Sequence, residues 1–181
     1  MDSTIPITTP PYIKVPRTRS LRDAFKRPGT GRLCVQSGGR GVVEDCVFCR
    51  IVRGQLDAHF VYVGGRVVVF LDKYPVTRGH ALVVPKDHYR DVFDAPGDVL
   101  SEMVFVAKVV ALAQREALGA RGVRLVMNSG REAGQEIFHA HMHVIPYGTE
   151  RMDRRPLTRA EGEAVAEALR KALERLLGAS R

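Results

Sequence analysis

Three of the chain's six histidines stand at alternate positions in the segment IFHAHMHVIP, residues 137–146. In a helix this spacing would turn the rings to different faces, whereas in a strand His139, His141 and His143 project from the same side. The β-branched and aromatic residues around them favour a strand, and Pro146 is expected to end it. We therefore predict a row of imidazoles on one face of this strand. The opposite face is predicted to enter the core through Phe138, Ala140, Met142 and Val144.

Two kinds of chemistry use imidazoles in such a row. Three histidines on one face can bind a catalytic metal ion, or one imidazole can act as a nucleophile that its neighbours orient. Neutral imidazole attacks phosphorus near pH 7, which gives a phosphoramidate that water can cleave. The segment NSGREAGQ at 128–135 favours phosphorus, because its backbone N–H groups and the amides of Asn128 and Gln135 can meet phosphate oxygens.

A pair of cysteines, Cys46 and Cys49, has the CxxC spacing that lets both thiolates reach one zinc ion. The same pair is compatible with redox chemistry or with two buried cysteines. The sequence contains no second CxxC, so a zinc site at this point must be completed by histidine.

Apolar runs predict the strands that position these residues. Runs on both sides of Gly64 and Gly65 indicate a strand hairpin over 59–72. Residues 80–85 and 123–128 indicate two further strands, and the histidine segment follows them. The strands are therefore expected to form one antiparallel sheet.

Two helices are predicted from apolar positions at helical spacing. The first covers residues 98–118 and ends at Gly119, where a glycine cap is expected. The second covers residues 158–177, begins with the capping-box pair Thr158 and Glu161, and closes at Gly178. Together with the strands, these helices predict an α+β domain.

Composition divides the chain into an arm and a domain. Residues 1–44 carry eight Lys or Arg against Asp2, Asp23 and Glu44, which is +5 of the chain's net charge of +8. They also contain five prolines and lack a sustained apolar period. We expect residues 1–43 to form an extended basic arm and residues 44–181 to form one compact domain.

Several classes of protein are disfavoured by the same features. No apolar run approaches the roughly 18 residues of a membrane-spanning helix, and the N-terminus lacks the pattern of a secretory signal. Three cysteines fit a reducing cytosol better than a disulfide framework, so we predict a cytoplasmic protein without a membrane partner. The basic arm leaves nucleic-acid binding open but does not favour it, since no aromatic residues are interleaved for base stacking.

The segment from residue 46 to about residue 147 resembles the histidine triad (HIT) superfamily of nucleotidyl hydrolases and transferases. The resemblance rests on HAHMHVI as the His-φ-His-φ-His-φ-φ signature, with DCVFCRIVRGQ, VVVFLDKYPVTRGHALVVPKDHY and MNSGREAGQ in the expected order. It implies a homodimer with an α+β fold, in which an antiparallel sheet of about five strands is combined with two helices.

Roles for individual residues follow from this resemblance. The middle histidine, His141, would attack the phosphorus bound to the nucleoside and form a nucleotidyl-histidine that water then hydrolyses. The catalytic set implied by the family is His141, His143, His80 and His139. The nucleotide would be held by Ile51 at the base, by Asp72 at the ribose hydroxyls, and by Asn128, Gln135, His141 and His143 at the phosphate.

The resemblance also extends to the cysteines. Some zinc-binding HIT proteins pair such cysteines with the histidine of the VPKxH stretch and with the first histidine of the triad. In this sequence the implied ligands are Cys46, Cys49, His88 and His139. A closed site of four ligands would be structural, and no organic cofactor is expected.

The leading hypothesis is a zinc-containing nucleotide hydrolase or nucleotidyltransferase that acts on purine nucleotides. Phosphoramidates, dinucleoside polyphosphates and other adenylylated compounds are the expected substrates. One alternative is an enzyme that removes AMP from a nucleic-acid end, with the arm gripping the strand.

A second alternative is a nucleotide-binding regulatory protein with little turnover. Glu136 stands where many family members have a small hydroxyl residue, and a carboxylate repels phosphate unless it points away. The chain also has no tryptophan, so it lacks the Trp-containing C-terminus of one phosphoramidase branch.

Overall fold

The computed structural model describes residues 45–178. The strands are β1 Phe60–Val63, β2 Val67–Leu71, β3 Ala81–Pro85, β4 Gly122–Val126 and β5 Met142–Tyr147. The helices are α1 Val47–Val52, α2 Gly97–Leu118 and α3 Arg159–Gly178, with a short 3-10 turn at Arg131–Ala133. The arm predicted for residues 1–43 lies outside the described residues.

The five strands form one antiparallel sheet in the order β1-β2-β3-β5-β4. β5 therefore lies between β3 and β4, where Leu82 is opposite His143 on one side and Val126 is opposite it on the other. This arrangement confirms the predicted α+β fold with an antiparallel sheet of about five strands. The described residues also include the six-residue helix α1, which the sequence patterns did not predict.

Apolar side chains cover both faces of the sheet. On one face, α2 and α3 pack against Val67 and Val69 in the larger core cluster. On the other face, Phe48 and Val52 of α1 pack with Val68. Because both faces are covered, β2 and β3 are buried along their whole length, which explains their uninterrupted apolar sequences.

Both predicted helix caps are present. Gly119 ends α2 in the left-handed region, with φ of 69°, where glycine is favoured. At the start of α3, the Thr158 hydroxyl accepts from the backbone N–H of Glu161, and the Glu161 carboxylate accepts from the Thr158 backbone. This is the reciprocal capping box that the sequence predicted.

The histidine strand is shorter than predicted. β5 begins only at Met142, because its pairing with β3 starts with Met142 opposite Val83. The preceding segment is held by other contacts, including a 2.6 Å hydrogen bond from the Ala140 N–H to the Tyr89 carbonyl. Pro146 does not end the strand, because β5 continues to Tyr147. Pro146 is opposite Val123 of β4 and lies beyond the residues of β5 that pair with β3.

The face opposite the imidazoles is only partly as predicted. Ala140 and Val144 are fully buried in the core, and Met142 packs against it. Phe138 instead lies beneath two guanidinium groups, 5.0 Å from that of Arg90 and 5.8 Å from that of Arg131. Placing Phe138 in the core was therefore wrong, because the chain has not yet entered the sheet at this position.

None of the helices in residues 45–178 combines the length and apolar character needed to cross a membrane.

Candidate active site and metal site

His141 has a defined tautomer. Its Nδ1 lies 2.7 Å from the backbone carbonyl oxygen of His139, so Nδ1 must carry the hydrogen and donate it. The other nitrogen, Nε2, then keeps its lone pair. The ring is 5% exposed and packs edge-on against Phe48, with 5.1 Å between centroids. This arrangement produces an oriented imidazole with an unprotonated nitrogen, as a nucleophile requires.

His80 and His143 form a second pair of rings beside His141. His80 Nε2 and His143 Nδ1 lie 2.9 Å apart, which is hydrogen-bond distance. The carboxylate of Asp72 lies 3.6 Å from His80 Nδ1 and 3.9 Å from His143 Nδ1. No hydrogen-bond partner for His80 Nδ1 is found among the described residues. The structure therefore brings together three of the four predicted catalytic histidines and the predicted ribose-binding carboxylate.

The imidazoles are neutral near pH 7. Burial and, to a smaller extent, neighbouring His141 and His80 lower the pKa of His143 to about 4, while Asp72 opposes the shift. Burial also lowers the pKa of His80 and of His141. Neutral rings are compatible with nucleophilic attack, because protonation would remove the lone pair.

The loop over 128–135 is braced by its own glutamine. The Gln135 side chain donates to the carbonyls of Arg90 and Ile137, at 2.7 and 3.1 Å, and accepts from the Gly130 N–H at 2.8 Å. The amide hydrogens of Gln135 are therefore bonded within the protein. The Gln135 side chain stabilises the loop and is not a free donor for a phosphate. The Asn128 amide donates more loosely, at 3.3 Å, to the Gly134 carbonyl.

The surroundings of His141 include an aromatic ring and a carboxylate. Phe48 contacts His139 and His141 edge-on, and the sequence patterns had not singled it out; only its position inside the CVFC motif could have drawn attention to it. Glu136 is exposed, and its charge favours protonation of His141, so the carboxylate lies within electrostatic reach of the ring. Ile51 lies on the buried side of α1, in the apolar cluster with Phe48.

Two cavities lie next to residues of the candidate sites. The larger, of about 860 Å³, is lined by Glu136, Phe138 and Arg131 together with residues at the start of α1. The smaller, of about 300 Å³, lies behind His80, between this histidine and the start of α3. The 860 Å³ cavity borders Cys46 and His88 of the metal cluster, and its lining does not include His141 or Asp72.

The four predicted zinc ligands come together. Cys46 Sγ and Cys49 Sγ lie 3.4 and 3.5 Å from His139 Nδ1, and Cys49 Sγ lies 3.3 Å from His88 Nδ1. One ligand atom from each of the four residues lies within 4.8 Å of every other. Ligand–zinc bonds of about 2.1 to 2.3 Å at tetrahedral angles place sulfur and nitrogen about 3.6 Å apart, so the observed distances fit a zinc ion.

The tautomer of His139 also fits a metal ligand. Its Nε2 lies 2.9 Å from the Pro85 carbonyl oxygen and therefore donates to it. Nδ1, which faces both sulfurs, is left with its lone pair. A backbone carbonyl that fixes the second nitrogen is the usual support of a zinc-bound histidine. Burial lowers the pKa of His139 to about 4, so the ring is neutral, as a ligand must be.

The antiparallel sheet, its helices and the buried histidines at the start of β5 define the class of the protein as an α+β scaffold that carries a cluster of imidazoles. The HIT domain model matches residues 53–150, more than half of the chain. The chain belongs to the HIT domain family.

Individual relatives place the chain within this family. An uncharacterized HIT-like protein of Saccharolobus solfataricus is 43% identical over 101 residues, which cover 56% of this chain and 73% of that protein. The crystal structure of a zinc-bound histidine triad family protein from Mycobacterium smegmatis is similar with a TM-score of 0.68 and 39% identity, covering 75% of this chain and 98% of that one. An adenylylsulfatase, HINT3 of Arabidopsis thaliana, is 37% identical over 116 residues, or 61% of this chain and 59% of that protein.

Proposed function

We propose that the protein is a nucleotidyl hydrolase or transferase that works through a nucleotidyl-histidine on His141. The single observation that carries this proposal is the hydrogen bond from His141 Nδ1 to the His139 carbonyl, which leaves the Nε2 lone pair available. Family membership supports the same activity, since one relative is named an adenylylsulfatase.

The reaction has two displacement steps. In the first, the Nε2 lone pair of His141 forms a bond to the phosphorus next to the nucleoside, and the bond to the leaving group breaks with its electron pair on that group. In the second, a water oxygen bonds to the same phosphorus and loses a proton to the solvent. The N–P bond then breaks, its electron pair returns to Nε2, and a nucleoside monophosphate is released.

The remaining side chains bind and orient the substrate in this proposal. His143 faces the phosphate and is held by His80, while Asp72 accepts hydrogen bonds from the ribose hydroxyls. Ile51 and Phe48 supply an apolar surface for a purine base. The loop at 128–135 offers backbone N–H groups and the Asn128 amide to the phosphate oxygens. A substrate with AMP linked to an amine, to phosphate or to sulfate fits this scheme.

Zinc has a structural role in this proposal. Cys46, Cys49, His88 and His139 would hold the ion with no position open to substrate, so it supplies cross-linking rather than Lewis-acid chemistry. The ion would fasten the start of α1 to the segment that carries His139. Since the His139 carbonyl sets the tautomer of His141, the metal would stabilise the nucleophile indirectly.

A homodimer is also part of the proposal. β4 pairs only with β5 in the described chain, so its outer edge presents unpaired backbone groups. Leu125 on β4 is 43% exposed, and Val104 and Leu112 on α2 are 50% and 39% exposed. A second copy pairing along β4 would cover this edge. Sedimentation of Leu125→Asp tests the interface, with a monomer expected for the variant and a dimer for the native chain.

The proposed activity is tested by incubating the full-length protein with adenosine 5′-phosphoramidate, a diadenosine polyphosphate and adenylyl sulfate, and identifying products by mass spectrometry. Release of AMP by the native protein, absent in His141→Ala, is the expected result. Tight nucleotide binding without turnover of any of the three would instead identify a binding protein.

A further inference from the structure

The imidazole site has an unbalanced charge. Within the described part of the chain, the charged side chains that act on His80, His141 or His143 are Asp72 and Glu136, which are negative, and Arg154, which is positive. A substrate with one phosphoryl group can be bound by neutral donors, but a second anionic group next to two carboxylates requires a cation.

Arg154 belongs to a strap, residues 148–158, that leads from β5 to α3. The strap is fastened to the loop that connects Asp72 with His80. Three backbone hydrogen bonds make this attachment, from Arg78 to Glu150 at 2.8 Å, from Met152 to Val76 at 3.1 Å and from Leu157 to Lys73 at 3.0 Å. Arg154 lies between the last two of these anchors. The strap therefore places it over the loop whose two ends carry Asp72 and His80.

The backbone of Arg154 has an unusual conformation. Its φ is 52°, and it is the non-glycine residue with positive φ among those described. Such a conformation is unfavourable for an arginine and is retained where the surrounding structure requires it. Its neighbours Asp153 and Arg155 both line the smaller cavity behind His80, whereas Arg154 is not part of that lining.

The guanidinium of Arg154 is available for a ligand. Arg155, the next residue, is held by two hydrogen bonds to Glu161, at 2.9 and 2.5 Å. Arg154 is exposed, and among the described residues it has no carboxylate within ion-pair distance. An exposed, unpaired arginine held on a fixed strap beside a phosphate site is suited to bind a further phosphate or sulfate.

We propose that Arg154 is a specificity-determining residue that binds the anionic leaving group of the substrate. It would contact the second phosphoryl or the sulfate group of AMP derivatives, and would favour these substrates over AMP linked to an amine. This assignment rests on the proposed function for the position of the nucleotide. When the P–O bond breaks and its electron pair moves to the leaving oxygen, Arg154 stabilises the added negative charge.

Binding of AMP and ADP to the full-length protein tests this assignment, because ADP adds one phosphoryl group where the leaving group would lie. We compare the native chain with Arg154→Gly, which removes the charge and accepts a positive φ, and with Arg154→Lys, which keeps the charge. Arg159→Ala is the matched control, since Arg159 is exposed at the start of α3 and is outside the proposed site. Calorimetry gives both dissociation constants for each protein.

Arg154→Gly is expected to weaken ADP binding by roughly 10-fold or more and to leave AMP binding within about 3-fold, as for the loss of one charged hydrogen bond. Arg154→Lys should recover most of the ADP affinity, and Arg159→Ala should match the native chain. Equal losses for AMP and ADP in Arg154→Gly, or no loss for either, would overturn the assignment.

Kinetics separate this inference from the proposed function. For Arg154→Gly, kcat/KM should fall by roughly 10-fold for adenylyl sulfate and much less for adenosine 5′-phosphoramidate. Absence of AMP release by the native protein, with the AMP and ADP binding pattern retained, would refute the enzymatic function and leave Arg154 as a phosphate contact. Native turnover with an unchanged substrate ratio in the variant would refute the role of Arg154 alone.

Discussion

The backbone carbonyl of His139 accepts a 2.7 Å hydrogen bond from Nδ1 of His141. The same residue, His139, directs its own Nδ1 at both sulfurs of the Cys46–Cys49 pair. One histidine therefore joins the proposed metal site to the proposed nucleophile, through its ring on one side and its backbone on the other. A change at the cysteines is expected to reach catalysis by this route, although the cysteines are not part of the proposed nucleotide site.

The first prediction concerns zinc. Protein purified without chelators should contain about one zinc per chain, and Cys46→Ser combined with Cys49→Ser should remove it, because two of four ligands are lost. Metal analysis and thermal melting measure the effect, and the melting temperature should fall with the metal. Cys34→Ser is the control and should keep the full zinc content. Native protein without stoichiometric metal would contradict the assignment.

The second prediction concerns stability against pH. The pKa of His143 is about 4 in the folded chain, whereas an unfolded histidine titrates near 6.5. Between these values the unfolded state binds more protons, so acid favours unfolding in this window. The free energy of unfolding should fall as pH is lowered from about 6.5 to 4, with this one group contributing at most about 1.4 kcal/mol per pH unit.

Urea unfolding of the native chain and of His143→Asn, each at pH 7 and pH 5, measures this contribution. The variant should lose less stability between the two pH values than the native chain, because it lacks one of the groups that take up a proton on unfolding. An identical loss in both proteins would show that His143 is not buried as a neutral ring.

The third prediction concerns a buried glutamine outside the site. Gln114 on α2 donates to the carbonyls of Gly79, at 2.9 Å, and of Val144, at 3.0 Å, which lie next to His80 and His143. Gln114→Leu should lower the free energy of unfolding by about 2 kcal/mol, because two buried carbonyls lose their donor. Lys108→Ala, on the exposed side of the same helix, should change it little. Equal stability of the two variants would mean that Gln114 does not tie α2 to the site.

Much of the fold was readable from the sequence because β2 and β3 are buried on both faces and the caps of α2 and α3 use ordinary residue signals. Alternate histidines and a CxxC pair likewise indicated where the site lies, whereas His80, His88 and Asp72 were assigned through the family resemblance. Helix α1 was missed because six residues are too few to show helical periodicity. The start of β5 at Met142 follows a loop contact, the hydrogen bond from Ala140 to Tyr89. The positions of Arg154 and Gln135 likewise depend on loop contacts that spacing does not encode.

The fourth prediction concerns the arm, which lies outside the described residues. Removal of residues 1–40 should leave kcat/KM for a small mononucleotide substrate nearly unchanged, because every proposed catalytic and zinc residue lies at or beyond Cys46. Melting temperature and sedimentation of the full and truncated chains are measured beside the kinetics. A large loss in any of the three would show that the arm packs on the domain or across a dimer interface.

The central claim is the covalent intermediate on His141, and rapid quenching tests it most directly. The native protein is mixed with excess adenosine 5′-phosphoramidate, quenched in alkali because a phosphoryl-histidine is acid-labile, and digested for peptide mass mapping. An AMP adduct on His141 is expected at early times, with no adduct and no turnover in His141→Ala. Near-native turnover in that variant, or an adduct on a different residue, would contradict it.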